Sequence, residues 1–504
     1  AKRVCQKNEK PGKKGRAEGV RRASPCRSYV FFVILHLGKQ NKHNITFFVM
    51  TELTELTREQ LIRHKLDLLL RTGQLLVESA ADTNRIMRNM KRTAAFLGLP
   101  EEHLHIFVQF NMLMVNLSDD EHSYTKFQRC DKHGINMTTL SLISKLSWTA
   151  IREDYSIERY AEELEAIANR PRNYTANQVA IGTGFACGGF CIQFGCDWIA
   201  FIYASIAAAI GMRLKGLLVE KGINVYMAIA ASAFVSTVIA WATDFLPAWT
   251  DTPLHPLLAC ALFIVPGVPL INFVDDMLDN YILVGMTRAI NTFLMIVAMS
   301  FGIAFFLKIA NFDLTQFTTI SMIPHNSYWS YAAAAAISAM GFSMIFNIPR
   351  RLLWVVAIGG IIAVCTRNFV NLGPSNNNIG LDMGLAIGSL AGSALVSLIA
   401  VKAVHWVHAP NHVISIPSVI PMVPGVLMYR ALVGLIEMNG VVGELTNAMK
   451  FGMASGITIM CIALGVAIPN VFARRWVAKD RQRKLEEMIE ERRKRGHFVD
   501  LSEI

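Results

Sequence analysis

From residue 175 to residue 470 the chain is a series of apolar runs, most of them roughly 17 to 22 residues long, the length at which a helix crosses a hydrocarbon core. In lipid every backbone N–H and C=O needs a partner inside the protein, so runs of this length select helices. The expected spans are residues 176–195, 198–211, 225–243, 256–274 and 288–307, then 329–347, 352–366, 381–401, 413–434 and 447–469. Of the 504 residues, 53% are hydrophobic and 17% charged, too apolar a balance for one soluble domain of this size. The fold class expected is an all-α polytopic membrane protein of about ten transmembrane helices behind a small N-terminal α+β domain.

The formal charge of +11 does not describe a basic surface. Residues 1–49 hold twelve Lys and Arg against Glu9 and Glu18 and supply +10 of it, which leaves a nearly neutral protein and excludes nucleic acid as a partner. This leader lacks periodicity and stops before Met50, which reads as a translation start, so it is expected to be non-native or disordered. A signal peptide is the rival reading for the short apolar run 29–37, but residues 38–44 carry no small-residue cleavage signature. Beyond the leader, Cys187, Cys191, Cys196, Cys260, Cys365 and Cys461 fall in or beside spans and read as packing residues. Cys187 and Cys191 lie one helical turn apart, yet no His or Asp is spaced to complete a site, so neither metal nor cofactor is expected.

The soluble part begins with a helix pair over residues 57–98, where Leu66, Leu69, Leu70, Leu75, Leu76, Ile86, Met87 and Met90 recur at helical spacing. Residues 104–117 switch to strand character before a polar turn at 118–122, and residues 156–170 return to a helix that Pro171 ends. The chain therefore divides into the leader 1–49, a cytoplasmic α+β domain 50–174, five-helix repeats at 175–310 and 325–470, and a charged cytoplasmic tail 471–504. With that domain inside, the inner loops hold Arg213, Lys215, Lys221, Arg288, Arg350, Arg351 and Lys402, whereas residues 244–255 hold no Lys or Arg. The asymmetry places both termini in the cytoplasm.

The membrane region resembles itself at an offset of about 157 residues. VPGV at 265–268 recurs at 423–426, and the small-residue run from Gly182 aligns with the segment from Ile337, bringing Trp198 onto Trp354. Five spans per half is an odd number, so the second half enters from the opposite side, which makes an inverted repeat. Pro266, Gly267 and Pro269 in the fourth span, and Pro417, Pro421, Pro424 and Gly425 in the ninth, break helices at matching places. Broken helices free backbone groups that cost several kcal/mol each if unpaired in hydrocarbon, so matched breaks point to a site rather than to two separate kinks.

Ionisable groups at membrane depth give the remaining candidates. Asp275 and Asp276 close the fourth span in NFVDDMLDN, with Asn272 one turn before Asp276. Paired carboxylates there can take up a proton or attract an ammonium group, or else cap the next segment. Asp197, in the short turn between the first two spans, reads equally as pathway or cap. Arg288, Arg367 and Asn368 are placed to meet a carboxylate, with snorkelling to the interface as the bland alternative. Gly182, Gly184, Gly188 and Gly189 mark close helix packing, not a phosphate loop.

At LLLRTGQLLVESAADTNRIMRNM (68–90), FGCDW (194–198), VPGVPLINFVDDML (265–278) with GMTRA after it, FNIPRRLLW (346–354) and IPMVPGVLMYRAL (420–432), the chain resembles the threonine/serine exporter family, ThrE, over nearly all of residues 50–470. The resemblance implies a cytoplasmic N-terminal domain, ten spans in a bacterial inner membrane, and export of threonine and serine driven by the proton-motive force. By motif it marks Asp197, Pro266, Gly267, Pro269, Asn272, Asp275, Asp276, Gly285, Arg288, Asn347, Arg351, Pro424, Gly425 and Arg430. One departure lies in the soluble helix, where the family pattern Gly-Ala-Glu/Ser-Thr-x-Arg-x-Glu is met by Ala80, Ala81, Asp82, Thr83 and Arg85 but ends in Met87 instead of Glu.

The function expected is threonine/serine export by proton antiport, with protons, lipid and a small hydrophilic substrate as partners and room for a homo-oligomer. Dicarboxylate export is the second reading, because a split two-chain relative of this architecture resembles a succinate exporter. A ligand-sensing receptor, or a membrane-embedded hydrolase, is the alternative of a different class. No HExxH or nucleophile elbow supports an enzyme.

Overall fold

The computed structural model of the chain describes residues 42–118, 122–245, 249–320, 322, 327–374, 379–407, 409–436 and 442–494; the expectations for leader residues 1–41 and tail residues 495–504 lie outside the described residues. Helix α1 runs Lys42–Glu78, and within it, after Ile62, the chain divides into two compact units. The first unit is described as helix from residue 42. The second begins at Arg63 and contains every other element.

Its N-terminal α+β part is built on the C-terminal half of α1, on α2 (Thr83–Phe96), an antiparallel sheet in the order β1-β2-β3 (Leu104–Val108, Met112–Ser118, Ser123–Arg129), α3 (Met137–Arg152) and α4 (Ile157–Ala168). Strand period puts Leu113, Val115 and Leu117 of β2 on one face, where they are buried with Leu66, Leu69 and Leu76 of α1 and Ile86 and Met90 of α2. The Tyr160 hydroxyl is satisfied in this core by Thr72 at 3.0 Å and Thr93 at 3.1 Å. The strand character expected over 104–117 resolves into two strands around residues 109–111, and a third strand follows. In SYTKFQR the half-buried positions, Tyr124, Lys126 and Gln128, are too polar to register as an apolar pattern.

The remainder is helical: α5 (Ala176–Gln193), α6 (Trp198–Glu220), α7 (Val225–Trp241), α8 (His255–Ala259), α9 (Gly267–Leu278), α10 (Ile282–Ile309), α11 (Leu314–Thr319), α12 (Tyr328–Ile345), α13 (Leu353–Asn371), α14 (Leu385–Val407), α15 (Asn411–Val419), α16 (Gly425–Ile436) and α17 (Val442–Lys494). Among the described residues five helices are long and apolar enough to cross a membrane, and seven spans result if each of two bent pairs is one span. The chain is a polytopic membrane protein. Helices α5 and α12 fall short of that test because they are rich in Gly, Ala and Ser, and they pack on each other: Ser338 Oγ donates to Ala186 O at 3.0 Å, and Gly341 lies against the backbone of Gly182 and Ala186. The helix of the last expected span continues without a break through the charged tail to Lys494.

Both bent pairs break where the sequence places proline and glycine. The helical segments before and after Pro266 meet at 57°, and those before and after Pro424 at 50°. At each break an amide donates two residues back around the proline, Gly267 N to Val265 O and Gly425 N to Val423 O, both at 2.8 Å. Pro266, at φ −80° and ψ 66°, has the dihedrals of an inverse γ-turn. The helices then resume with Leu270 N to Pro266 O and Met428 N to Pro424 O. Every atom pair in this series is separated from its counterpart by 158 residues.

Candidate functional site

The two breaks face each other. A Cβ on Gly267 would meet Ile420 at 2.6 Å and Val423 at 3.7 Å, while a Cβ on Gly425 would meet Leu262 at 2.8 Å and Val265 at 2.9 Å. These contacts are reciprocal in register. Between them lies a cavity of about 10 Å³ lined by Leu262, Val265, Ile420 and Val423, the two glycines, and Phe190 and Phe342 from α5 and α12. That is room for about one water molecule and for no amino acid or dicarboxylate between the two breaks.

Following α9 away from the break leads to the acidic pair. Asp275 and Asp276 are both buried, Asp276 to 1% exposure. Asp276 Oδ2 lies 3.1 Å from Arg288 Nε of α10, yet neither atom has an aligned hydrogen bond, so charge alone holds the pair. Asp276 Oδ1 accepts from Thr83 N at 2.8 Å. Arg288 Nη2 donates to Ala81 O at 2.8 Å, Asn272 Nδ2 donates to Ala80 O at 2.8 Å, and Asn84 Nδ2 donates to Asp279. The polar end of the bent span is thus filled by the turn between α1 and α2 of the soluble domain.

That turn is tightly specified. α1 ends with Ala80 in the left-handed region (φ 60°), which costs an L-residue roughly 1–2 kcal/mol and is where the family pattern has Gly. Two residues on, the Asp82 carboxylate caps α2 by accepting from Arg85 N at 2.8 Å. Burial pushes the Asp82 carboxyl up, but the Arg85 guanidinium, His412 at the start of α15, and Arg88 outweigh it and hold it well below the usual carboxylate range.

The other bent span carries a polar side chain at the matching position. α8 begins beside α16, where Tyr429 Oη donates to Leu258 O at 2.8 Å. Arg430, 158 residues after Asn272, is buried and donates from Nη2 to Ile320 O at 2.7 Å. Here too a backbone carbonyl, that of the residue after α11, meets the polar side chain that follows the break.

Arg367 and Asn368 belong to neither group. Arg367 Nε donates to Asn368 Oδ1 at 3.0 Å and Nη2 to Gln193 Oε1 of α5 at 3.4 Å. Gln193 Nε2, buried, has no partner among the described residues, so the cluster presents donors and no carboxylate. Asp197 lies apart from all of these. It caps α6 through Ala200 N (2.7 Å) and takes Thr250 Oγ1 (2.7 Å) and Asp251 N (2.8 Å) on its other oxygen. Burial raises its pKa, but these three donors outweigh it and keep it below the ordinary value. Asp197→Ala is therefore expected to cost about 1–2 kcal/mol. Because the folded pKa is depressed, that contribution is full above about pH 4 and fades as pH falls through the folded value; thermal melts of both proteins across pH 3 to 7 check this.

Sequence reasoning did not single out Gln193, His412, or the backbone groups of Ala80, Ala81 and Thr83. The latter leave only an indirect signal, two alanines between a helix end and an N-capping Asp. Asn347, marked by motif, sits in the left-handed region (φ 54°) and takes no place near the breaks. It accepts from Asn173 N and donates to Asn136 Oδ1, both at 2.8 Å, and Met137 N donates to Phe346 O at 3.0 Å. The turn before α13 is in this way a second footing for the soluble domain.

Residues 67–310 match a family model described as "Putative threonine/serine exporter", and residues 331–472 match one described as "Threonine/Serine exporter, ThrE". Among curated proteins, the chain is 24% identical over 242 residues to the probable succinate transporter subunit YjjP of Escherichia coli (strain K12), covering 48% of this chain and 93% of that one. The protein of the same name from Klebsiella aerogenes is 23% identical over 229 residues, 45% of this chain and 87% of that one. No solved structure matches the chain.

Proposed function

We propose that this chain, which belongs to the threonine/serine exporter (ThrE) family, is a secondary transporter that exports threonine and serine in exchange for protons, by alternating access between two inverted five-helix halves. The observation that carries this reading is the pair of bent spans, whose backbone hydrogen bonds match at 158 residues and whose breaks pack against each other. Such an architecture has two near-equivalent packings, each open to one side. Opening either end exposes the cavity and the N-termini of α9 and α16, whose dipoles favour a substrate carboxylate. On this reading the protein has ten spans and lies in a bacterial inner membrane with the soluble domain and both termini in the cytoplasm. Asp276 is the coupling group, alternately protonated and paired with the substrate ammonium, and Arg288 is its resting counter-ion. Arg367, with Gln193 and Asn368, offers a carboxylate donors on the way out.

Dicarboxylate export is the second reading, favoured by the two relatives named as probable succinate transporter subunits and by the donor-only cluster at Arg367. Counterflow in proteoliposomes separates the two. Vesicles loaded with threonine, serine, succinate or a sugar are followed for uptake of labelled threonine and labelled succinate, with and without a pH gradient. Threonine exchange that the gradient drives, and that Asp276→Asn abolishes, is the expected result. Exchange of succinate alone selects the second reading, and no exchange by folded, inserted protein rejects transport.

A further inference from the structure

At the polar end of the first bent span three side chains, Asn272 and Asp276 of α9 and Arg288 of α10, are each occupied by main chain. Asp276 offers an acceptor and takes the N–H of Thr83; Arg288 and Asn272 offer donors and take the carbonyls of Ala81 and Ala80. The donor and both acceptors come from four consecutive residues, 80–83. A free α-amino acid carries the same groups in small compass, an ammonium as donor and a carboxylate with two acceptor oxygens. A dicarboxylate carries acceptors only and would set its second carboxylate against Asp276, a like-charge contact. We propose that residues 272, 276 and 288 form a binding site for the ammonium and carboxylate of an α-amino acid, and that the 80–83 turn of the soluble domain is a tethered stand-in occupying it.

The proposal rests on the export reading and adds to it a competitor built into the chain. Substrate entering from the side of the soluble domain must displace the turn, so apparent affinity on that side is lowered by the fraction of molecules in which the turn is seated. The other bent span has a parallel in the Ile320 carbonyl on Arg430. There the occupant supplies an acceptor alone, so only the 80–83 turn reproduces both poles of a zwitterion.

The turn can be unseated without breaking its helix. Thr83 is the first residue of α2, a position where proline is tolerated, and Asp82 before it is already extended (φ −65°, ψ 152°), as a residue preceding proline must be. Thr83→Pro deletes the N–H that Asp276 accepts and puts a ring carbon in its place. Asn84→Ala, which removes only the contact to Asp279, is the milder companion should the first variant fail to fold. Two readouts on the full-length protein are needed: threonine affinity by calorimetry, and formation of a carbodiimide adduct on the peptide bearing Asp276.

The expected result is a threonine affinity about tenfold higher in Thr83→Pro and about threefold higher in Asn84→Ala, the scale of a hydrogen bond lost to the buried Asp276 carboxylate and to the half-buried Asp279 carboxylate. The Asp276 adduct rises in the same order and is suppressed by threonine. Unchanged affinity with a raised adduct would show a turn that covers the site without competing for it, and would overturn the proposal. An unchanged adduct in folded variants overturns it as well. If the adduct rises but wild type and variants bind succinate and not threonine, the export reading has failed, and with it the amino-acid stand-in.

Discussion

Arg288→Gln is expected to lower stability by about 3–5 kcal/mol and to abolish exchange, because it leaves a carboxylate that is 1% exposed without its counter-ion. Asp276→Asn is expected to cost a similar amount from the other side, stranding a guanidinium whose remaining hydrogen bond among the described residues is to the Ala81 carbonyl. The informative variant is the pair. With both charges removed, the side chains are still polar and similar in size, so most of the lost stability returns, while proton-driven transport does not. Unfolding in detergent, followed by intrinsic fluorescence, gives the stability of the four proteins, and counterflow gives the activity. Additive losses in the double variant would mean that each residue acts through different partners and that the ion pair is incidental.

Gly341→Val is expected to destabilise the protein by about 3 kcal/mol, at the upper end for overpacking. A Cβ at this position would fall on the Gly182 carbonyl and 2.8 Å from Ala186 N, which is backbone and cannot rotate away. Helices α5 and α12 would have to separate, taking with them Phe190 and Phe342, which meet edge to face beside the cavity. Gly216 is the control, since nothing lies within 4 Å of a Cβ there and Gly216→Ala is expected to gain up to about 1 kcal/mol. Thermal melts and elution profiles compare them. Equal behaviour of the two variants would show that the α5–α12 contact does not hold the halves together.

That the chain crosses a membrane several times was legible because hydrocarbon allows so few ways to satisfy a backbone, and the two breaks because proline and glycine recur side by side at 266–267 and 424–425, whereas Pro417 and Pro469, each alone, sit inside helices. VPGV at 265 and at 423 announced both bends. What the sequence could not supply was facing. Asp275 and Asp276 are adjacent and chemically identical, and only the packing of α9 on α10 turns Asp276 onto Arg288. Asp197 read equally as cap or pathway residue, and its bonds to Ala200, Thr250 and Asp251 are those of a cap. The filling of the site by residues 80–83 joins positions nearly 200 apart through main-chain atoms, and main-chain atoms leave no mark in a pattern of residue types.

The footing of the soluble domain at residues 346–348 has a consequence for covalent continuity. The domain holds α9 and α10 through its first turn and the start of α13 through Asn136, Met137 and Asn173. It therefore works as a rivet through both halves, and the peptide link between Ile309 and Tyr328 is not what sets their register. A chain cut in that link keeps every contact described above, so one gene or two could encode the same particle, provided the half with the soluble domain finds an Asn347 ledge on the other.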